Sequence, residues 1–134
     1  SIMASELRVN TLKDASGNNS VGMSTVAEGS AKAWAHIAAN GASLPDSFNG
    51  SSLDDDGTGE YGLNFTSAMG SANYSAQATI TFNNSGSNNL RNATVESKAA
   101  GAVELDFAYT NSSGAAIAYD VETDASVAIH GDLA

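Results

Sequence analysis

Val103-Glu104-Leu105-Asp106-Phe107-Ala108-Tyr109 is the stretch on which the reading of the fold turns. Large apolar side chains recur at every second position, and successive side chains of an extended strand point to opposite faces. Val103, Leu105, Phe107 and Tyr109 therefore share a face turned toward a core or a subunit interface, while Glu104 and Asp106 face water.

The same period recurs outward from it in both directions. Tyr74, Ala76, Ala78, Ile80 and Phe82 alternate with Ser75, Gln77, Thr79 and Thr81, and Tyr61, Leu63 and Phe65 alternate with Gly62, Asn64 and Thr66. Ile117, Tyr119 and Val121 follow the pattern, as do Val127 and Ile129, with a weaker start at Leu7 and Val9. Between these runs lie Ser16-Gly17-Asn18-Asn19, Asn40-Gly41, Asp56-Gly57-Thr58-Gly59, Asn83-Asn84-Ser85-Gly86 and Asn111-Ser112-Ser113-Gly114. Such residues tolerate the positive φ angles of tight turns, so short strands joined by hairpins are expected. Ala31–Ala39 is rich in the best helix former. Its alternation favours a strand with Ala33, Ala35 and Ile37 on one face and Lys32, Trp34 and His36 on the other. The fold class is thus all-β, an antiparallel β-sandwich-like domain.

Composition bounds the function. Of 134 residues, 42% are hydrophobic, but 24 of those are Ala, and Leu, Ile, Val and Phe together also number only 24. A core this thin, without a single Cys to form a disulfide, favours oligomerisation, which removes further apolar surface from water. A net charge of −10, with 5 cations against 15 carboxylates, opposes binding to nucleic acid and to anionic membranes. No apolar run approaches the ~20 residues of a spanning helix, so membrane insertion is not expected.

Chemistry-bearing motifs are sparse. Asp54-Asp55-Asp56 with Gly57, Gly59 and Glu60 gathers oxygens of the kind Ca²⁺ takes, yet the spacing departs from a calcium loop and suits a solvated turn. His36 and His130 form no H-x-H pair, and no metal or other cofactor is expected. Trp34 and the tyrosines Tyr61, Tyr74, Tyr109 and Tyr119 can stack on sugars, but their place in alternating runs favours packing, with Trp34 the least settled. Seven N-x-[ST] sequons, Asn49-Gly50-Ser51 and Asn64-Phe65-Thr66 among them, follow from a chain rich in Asn, Ser and Thr. No G-x-S-x-G or comparable nucleophile motif accompanies either His, and no catalytic residue is assigned.

Gly29-Ser30-Ala31-Lys32-Ala33-Trp34, Asp46-Ser47-Phe48-Asn49-Gly50-Ser51-Ser52-Leu53, Asp56-Gly57-Thr58-Gly59-Glu60-Tyr61-Gly62-Leu63-Asn64-Phe65-Thr66 and Ala72-Asn73-Tyr74 occur in that order. Together they resemble the distal domain of bacteriophage tail fibres. Leu7–Gly17 is similar to a segment found where fibre shafts end, and Val127-Ala128-Ile129-His130-Gly131 to the closing strand. The resemblance covers well over half the chain. It departs at Gly50, where the pattern prefers a β-branched residue, and fails across Asn83–Ala102.

The resemblance implies a homotrimer at a fibre tip in the virion. Its partners would be the rest of the fibre and a host cell-surface glycan or outer-membrane receptor. Residues 1–20 would be a shaft-proximal segment with a first strand, and residues 21–134 the tip domain. Asn83–Ala102, dense in Asn, Ser and Gly, reads as a protruding loop with room for a short strand near Ala93–Ser97. At an exposed tip such a loop would meet the receptor. Arg91 and Lys98 are two of only five cations, and Asn84, Asn88, Asn89 and Asn92 supply amides for sugar hydroxyls. These six are the candidate receptor-binding residues. Two other readings compete: a structural module that trimerises or caps the shaft, and a small glycan hydrolase using a carboxylate pair.

Overall fold

The computed structural model describes residues 4–82 and 90–134. Strands account for 53% of the described residues, beside one α-helix, and every described strand pairing is antiparallel. The all-β expectation therefore holds. The chain divides into two compact units, Ser1–Ser30 and Ala31–Ala134.

In the first unit, β1 (Thr11–Lys13) pairs with β2 (Ser20–Gly22), with Leu12 opposite Val21. The connecting turn is organised by one carboxylate: Asp14 accepts hydrogen bonds from the Ser16 hydroxyl, the Asn18 N–H and the Asn19 amide. Those donors, Asn19 foremost and then Ser16, hold the Asp14 carboxyl below its ordinary range. The turn, rather than Leu7 and Val9, sets where the strand begins, and Leu7 is largely exposed outside any strand. A helix, α1 (Met23–Gly29), leaves β2 at once. Sequence reading missed it because its seven residues bury none of their side chains and have no side-chain cap. With β2 paired back onto β1 and α1 following it, the first compact unit runs to Ser30, whereas the resemblance implies a segment of residues 1–20.

The second unit holds two sheets. One runs β4 (Asp46–Phe48), β3 (Ala33–Ala38), β11 (Asp124–His130), β7 (Ser75–Thr81). Ala31–Ala39 thus does build a strand, and Ala33, Ala35 and Ile37 are buried as the alternation requires. The other sheet is centred on β9 (Ala102–Thr110). Along one edge β9 pairs with β8 (Arg91–Ala99). Along the other it pairs with β6 (Glu60–Phe65) and then β10 (Ala116–Ala118), and β5 (Gly50–Gly57) flanks β6.

Both sheets contribute to one core. Val103, Leu105, Phe107, Tyr61 and Leu63 from one and Ala33, Ile37, Val127 and Ile129 from the other are buried in a single cluster. Small Ala side chains on β3, β7 and β11 leave room for the aromatic rings: Tyr61 lies 5.5 Å from Phe107, and Phe65 lies edge-on to Tyr74 at 5.9 Å. Tyr109 is half-buried at the rim. Ile117 is partly exposed, whereas Tyr119 and Val121 are buried just beyond β10.

Asn49, at φ 57°, acts as a clip between segments distant in sequence. Its amide donates to the carbonyls of Lys32 and Ser67, and its side-chain oxygen accepts from the Ser67 N–H. The neighbouring Gly50, where the fibre pattern prefers a β-branched residue, begins β5 just before a bulge. A Cβ there would press on Leu63 and Ser47 at 3.2 Å, so this packing calls for the smaller residue.

The segment read as a loop, Asn83–Ala102, is corrected by the structure from residue 91 onward, where the short strand expected near Ala93–Ser97 is part of a longer one. Arg91–Ala99 is a nine-residue strand, β8, turning tightly into β9. Its apolar anchors, Ala93 and Val95, are few, and a bulge between Val95 and Ser97 shifts the alternation so that no simple period survives.

Candidate functional site

Three surfaces of the second unit carry chemistry. The first is a lock beneath the Asp56-Gly57-Thr58-Gly59-Glu60-Tyr61 turn. Asp120 accepts hydrogen bonds from the Gly59 N–H (2.7 Å) and the Tyr61 hydroxyl (2.8 Å). The Gly59 carbonyl in turn accepts from the Phe107 N–H at 2.8 Å. Burial, reinforced by the hydrogen bond to Asp120, pushes the Tyr61 hydroxyl well above the ordinary phenol range, so it stays a proton donor. Tyr74 plays a related part, its hydroxyl donating to the carbonyls of Ala99 and Ala102.

The second surface is the outer face of the β9-centred sheet. Register places Asp54, Glu60, Glu104 and Asp106 on it, with Asp56 and Glu96 in the bulges of β5 and β8 beside them. Gly62 stands between Asp54 and Glu104, and the Glu104 carboxylate lies over the space a Cβ would fill there. Burial, then repulsion from Asp56, Asp54 and Glu96, raises the Glu104 carboxyl above its ordinary value of 4.5. Asp54 and Asp55 fall on opposite faces of β5 and do not converge. Among the described residues, no group of three His, Asp or Glu side chains is placed to hold a metal ion.

Once pH passes about 4.5 the unfolded chain releases the Glu104 proton while the folded chain still retains it, so stability falls as pH rises through that interval. Glu104→Gln removes the penalty. Thermal melts should show the variant more stable than wild type at pH 7, with the gap closing below pH 4 and narrowing in high salt. Identical melts at both pH values would contradict the crowding.

The third surface is the outer face of the β4-β3-β11-β7 sheet. Register aligns Phe48, Trp34, Ala128 and Gln77 in one row across the four strands, and His36, Ser126 and Thr79 in the next. Trp34 is 38% exposed and Phe48 52% exposed, an unusual pair to leave side by side in water. Between Trp34 and Gln77 the Ala128 methyl leaves a shallow groove of about 320 Å³ lined also by His36, Thr79 and Ser126. The Thr79 and Ser126 hydroxyls are hydrogen-bonded to each other at 3.1 Å, and Gln77 donates to the Ser75 hydroxyl. Phe48 went unnoticed in the sequence because β4 is only three residues long and shows no period. The four tyrosines pack inward; Trp34 does not.

The six sequence-derived candidates fare unevenly. Asn84, Asn88 and Asn89 lie outside the described residues. Arg91, Asn92 and Lys98 belong to β8, not to a loop. The Arg91 guanidinium is 3.9 Å from the centre of the Phe82 ring and 4.6 Å from that of Tyr119, which turns this cation toward the aromatic rim of the core. Lys98 reaches back across the sheets, its Nζ donating to the Tyr74 carbonyl at 2.8 Å. Asn92 is exposed on the acidic face, opposite Ala108. The structure brings Arg91 and Lys98 into structural contacts at opposite ends of β8 and does not gather the three into one patch.

Compared with known family models, curated proteins and solved structures, the chain matches none.

Proposed function

We propose that this chain is the receptor-binding tip of a bacteriophage tail fibre: a non-enzymatic, β-sandwich-like domain, trimeric in the virion, that attaches to a glycan or outer-membrane component of the host surface. The observation that carries the reading is the Trp34–Phe48 pair, two large aromatic side chains left exposed side by side on a sheet whose inner face is packed into the core. Exposed aromatic pairs on a rigid frame belong to recognition surfaces. The sequence resemblance supports the viral setting, since its most specific pieces fall on structural keystones: Ala33-Trp34 opens β3, and Gly57–Tyr61 forms the turn locked by Asp120.

The test is adsorption. Fluorescently labelled protein, confirmed as a trimer by light scattering, should bind a subset of bacterial strains saturably and compete with phage for them. A trimer that binds no strain in a broad panel would favour the shaft-capping reading, and a monomer at micromolar concentration would overturn the assembly. Release of reducing sugar from envelope polysaccharide would instead identify a hydrolase.

A further inference from the structure

We infer that Asn40 is a site of spontaneous deamidation, which turns this uncharged turn residue into a carboxylate, and that Asn49, in the same dipeptide, is protected by the fold. The chain contains two Asn-Gly dipeptides, Asn40-Gly41 and Asn49-Gly50. Both asparagines sit in the left-handed region, at φ 58° and 57°. Side chain, following residue and φ are thus matched, and what holds each amide differs.

The reaction is an attack of the following backbone nitrogen on the side-chain amide carbon. The glycine nitrogen gives its proton to base in the water and bonds to Cγ; the Cγ–Nδ2 bond breaks, and ammonia leaves after taking up a proton. The product is a five-membered succinimide. Water then opens the ring. Cleavage of the new bond at Cγ leaves an ordinary Asp, and cleavage at the original backbone carbonyl leaves isoaspartate, whose chain runs through Cβ and Cγ. No oxidant or reductant is needed. Glycine favours the attack because no Cβ shields its nitrogen and its backbone turns freely.

To bring the nitrogen to Cγ, the chain must turn about the Cα–C bond of the asparagine. At Asn40 little opposes this. The residue is exposed, and its side chain makes no hydrogen bond to any described residue. The turn itself is closed by one long bond, from the Ala42 N–H to the Ala39 carbonyl at 3.2 Å. Asn49 is held on every side. Its amide donates to the Lys32 and Ser67 carbonyls at 3.0 and 2.9 Å, and its Oδ1 accepts from the Ser67 N–H at 2.7 Å. Its backbone carbonyl accepts from the Thr66 N–H, and Gly50 is already paired opposite Phe65. Attack at Asn49 requires that this clip open first.

The Asn40 turn also touches the lock beneath Gly59. Gly41 lies against the Tyr61 ring, where a Cβ would stand 2.3 Å from Cε1, and the Asn40 N–H donates to the Val121 carbonyl at 2.7 Å. Isoaspartate inserts one methylene into the backbone between those two contacts, and a packed site feels a single methylene. The Asp product leaves the backbone path unchanged.

Wild-type protein, aged in mildly alkaline buffer both folded and in urea, provides the test, with conversion located by fragmentation mass spectrometry and isoaspartate by enzymatic methyl labelling. In urea the two sites should convert at comparable rates. In the folded chain Asn49 should lag Asn40 by about tenfold or more, the factor that a loss of hydrogen bonding worth about 1.4 kcal/mol imposes. Asn40→Gln, which would have to close a less favourable six-membered ring, should abolish the labelled species. Asn40→Asp should melt as wild type does, while the aged isoaspartate fraction melts lower. Equal conversion at the two sites in the folded chain, earlier conversion at Asn49, or an intact folded Asn40 after the urea sample has reacted would each overturn the proposal.

Discussion

Gly59→Ala is expected to destabilise the protein by about 2–5 kcal/mol, whereas Gly114→Ala should cost only about 1 kcal/mol. Both glycines sit at positive φ, 76° and 82°, and therefore share the strain that a side chain meets in the left-handed region. They differ in what surrounds them. A Cβ on Gly114 meets nothing within 4 Å, while one on Gly59 runs into the Phe107 carbonyl and stands 2.9 Å from the backbone N and O of Tyr119. Backbone cannot rotate aside as a side chain can, so β9 or the 119–121 segment must move. Either movement disturbs the hydrogen bonds from the Gly59 N–H to Asp120 and from the Phe107 N–H to the Gly59 carbonyl. Equilibrium urea unfolding of the two variants measures the contrast, and equal losses would mean that Gly59 is only a turn glycine. The excess over Gly114 isolates the close approach beneath the turn.

That approach marks a limit of sequence reading. Asp-Gly-Thr-Gly is legible as a turn because its residue types carry their own backbone preferences. The partner that fixes it, Asp120, lies 61 residues away, on the polar side of the Ile117, Tyr119, Val121 alternation, where nothing local marks it as a partner of the turn. Likewise the inward faces of β3, β6, β9 and β11 were legible from period-two alternation, which reflects burial directly. β8 was not, because Arg91 and Lys98 occupy inward register positions and a bulge breaks its period. Cations at inward positions look like solvent-facing ones until the rings and carbonyls that receive them are in view.

The same limit explains the candidate site. Sequence reasoning sought recognition in the longest irregular stretch and in its cations, which is sound where irregularity means exposure. Here two of the six residues chosen bind back onto the fold. The exposed aromatic row instead assembles from β4, β3 and β11, with one residue from each, and Gln77 of β7 completes it. Only Trp34 carried a hint, since it falls on the polar side of its own alternation.

Replacing Phe107 by Ala should remove about 3–5 kcal/mol of stability, a large share of the total for a small domain with a thin core. Phe107 is 2% exposed, and its ring packs 5.5 Å from that of Tyr61, whose hydroxyl is held by Asp120. The surrounding residues include many Ala side chains, and their short methyl groups cannot swing into the space that a missing ring leaves. The cavity therefore persists, and its cost adds to the lost transfer free energy. Phe107→Leu, which fills most of the volume, should cost less than about 1.5 kcal/mol. Thr94→Ala, on the outward face of β8 opposite Asp106, should change stability by less than about 0.5 kcal/mol. Should the Ala variant fail to fold, the Leu and Thr94 variants still rank the two faces of the sheet. A Thr94→Ala loss as large as that of Phe107→Leu would mean that the inward face of β9 is not where the stability of this domain resides. The ordering Thr94→Ala, Phe107→Leu, Phe107→Ala, read from denaturant midpoints at constant slope, is what a single core built on the Val103–Tyr109 alternation requires.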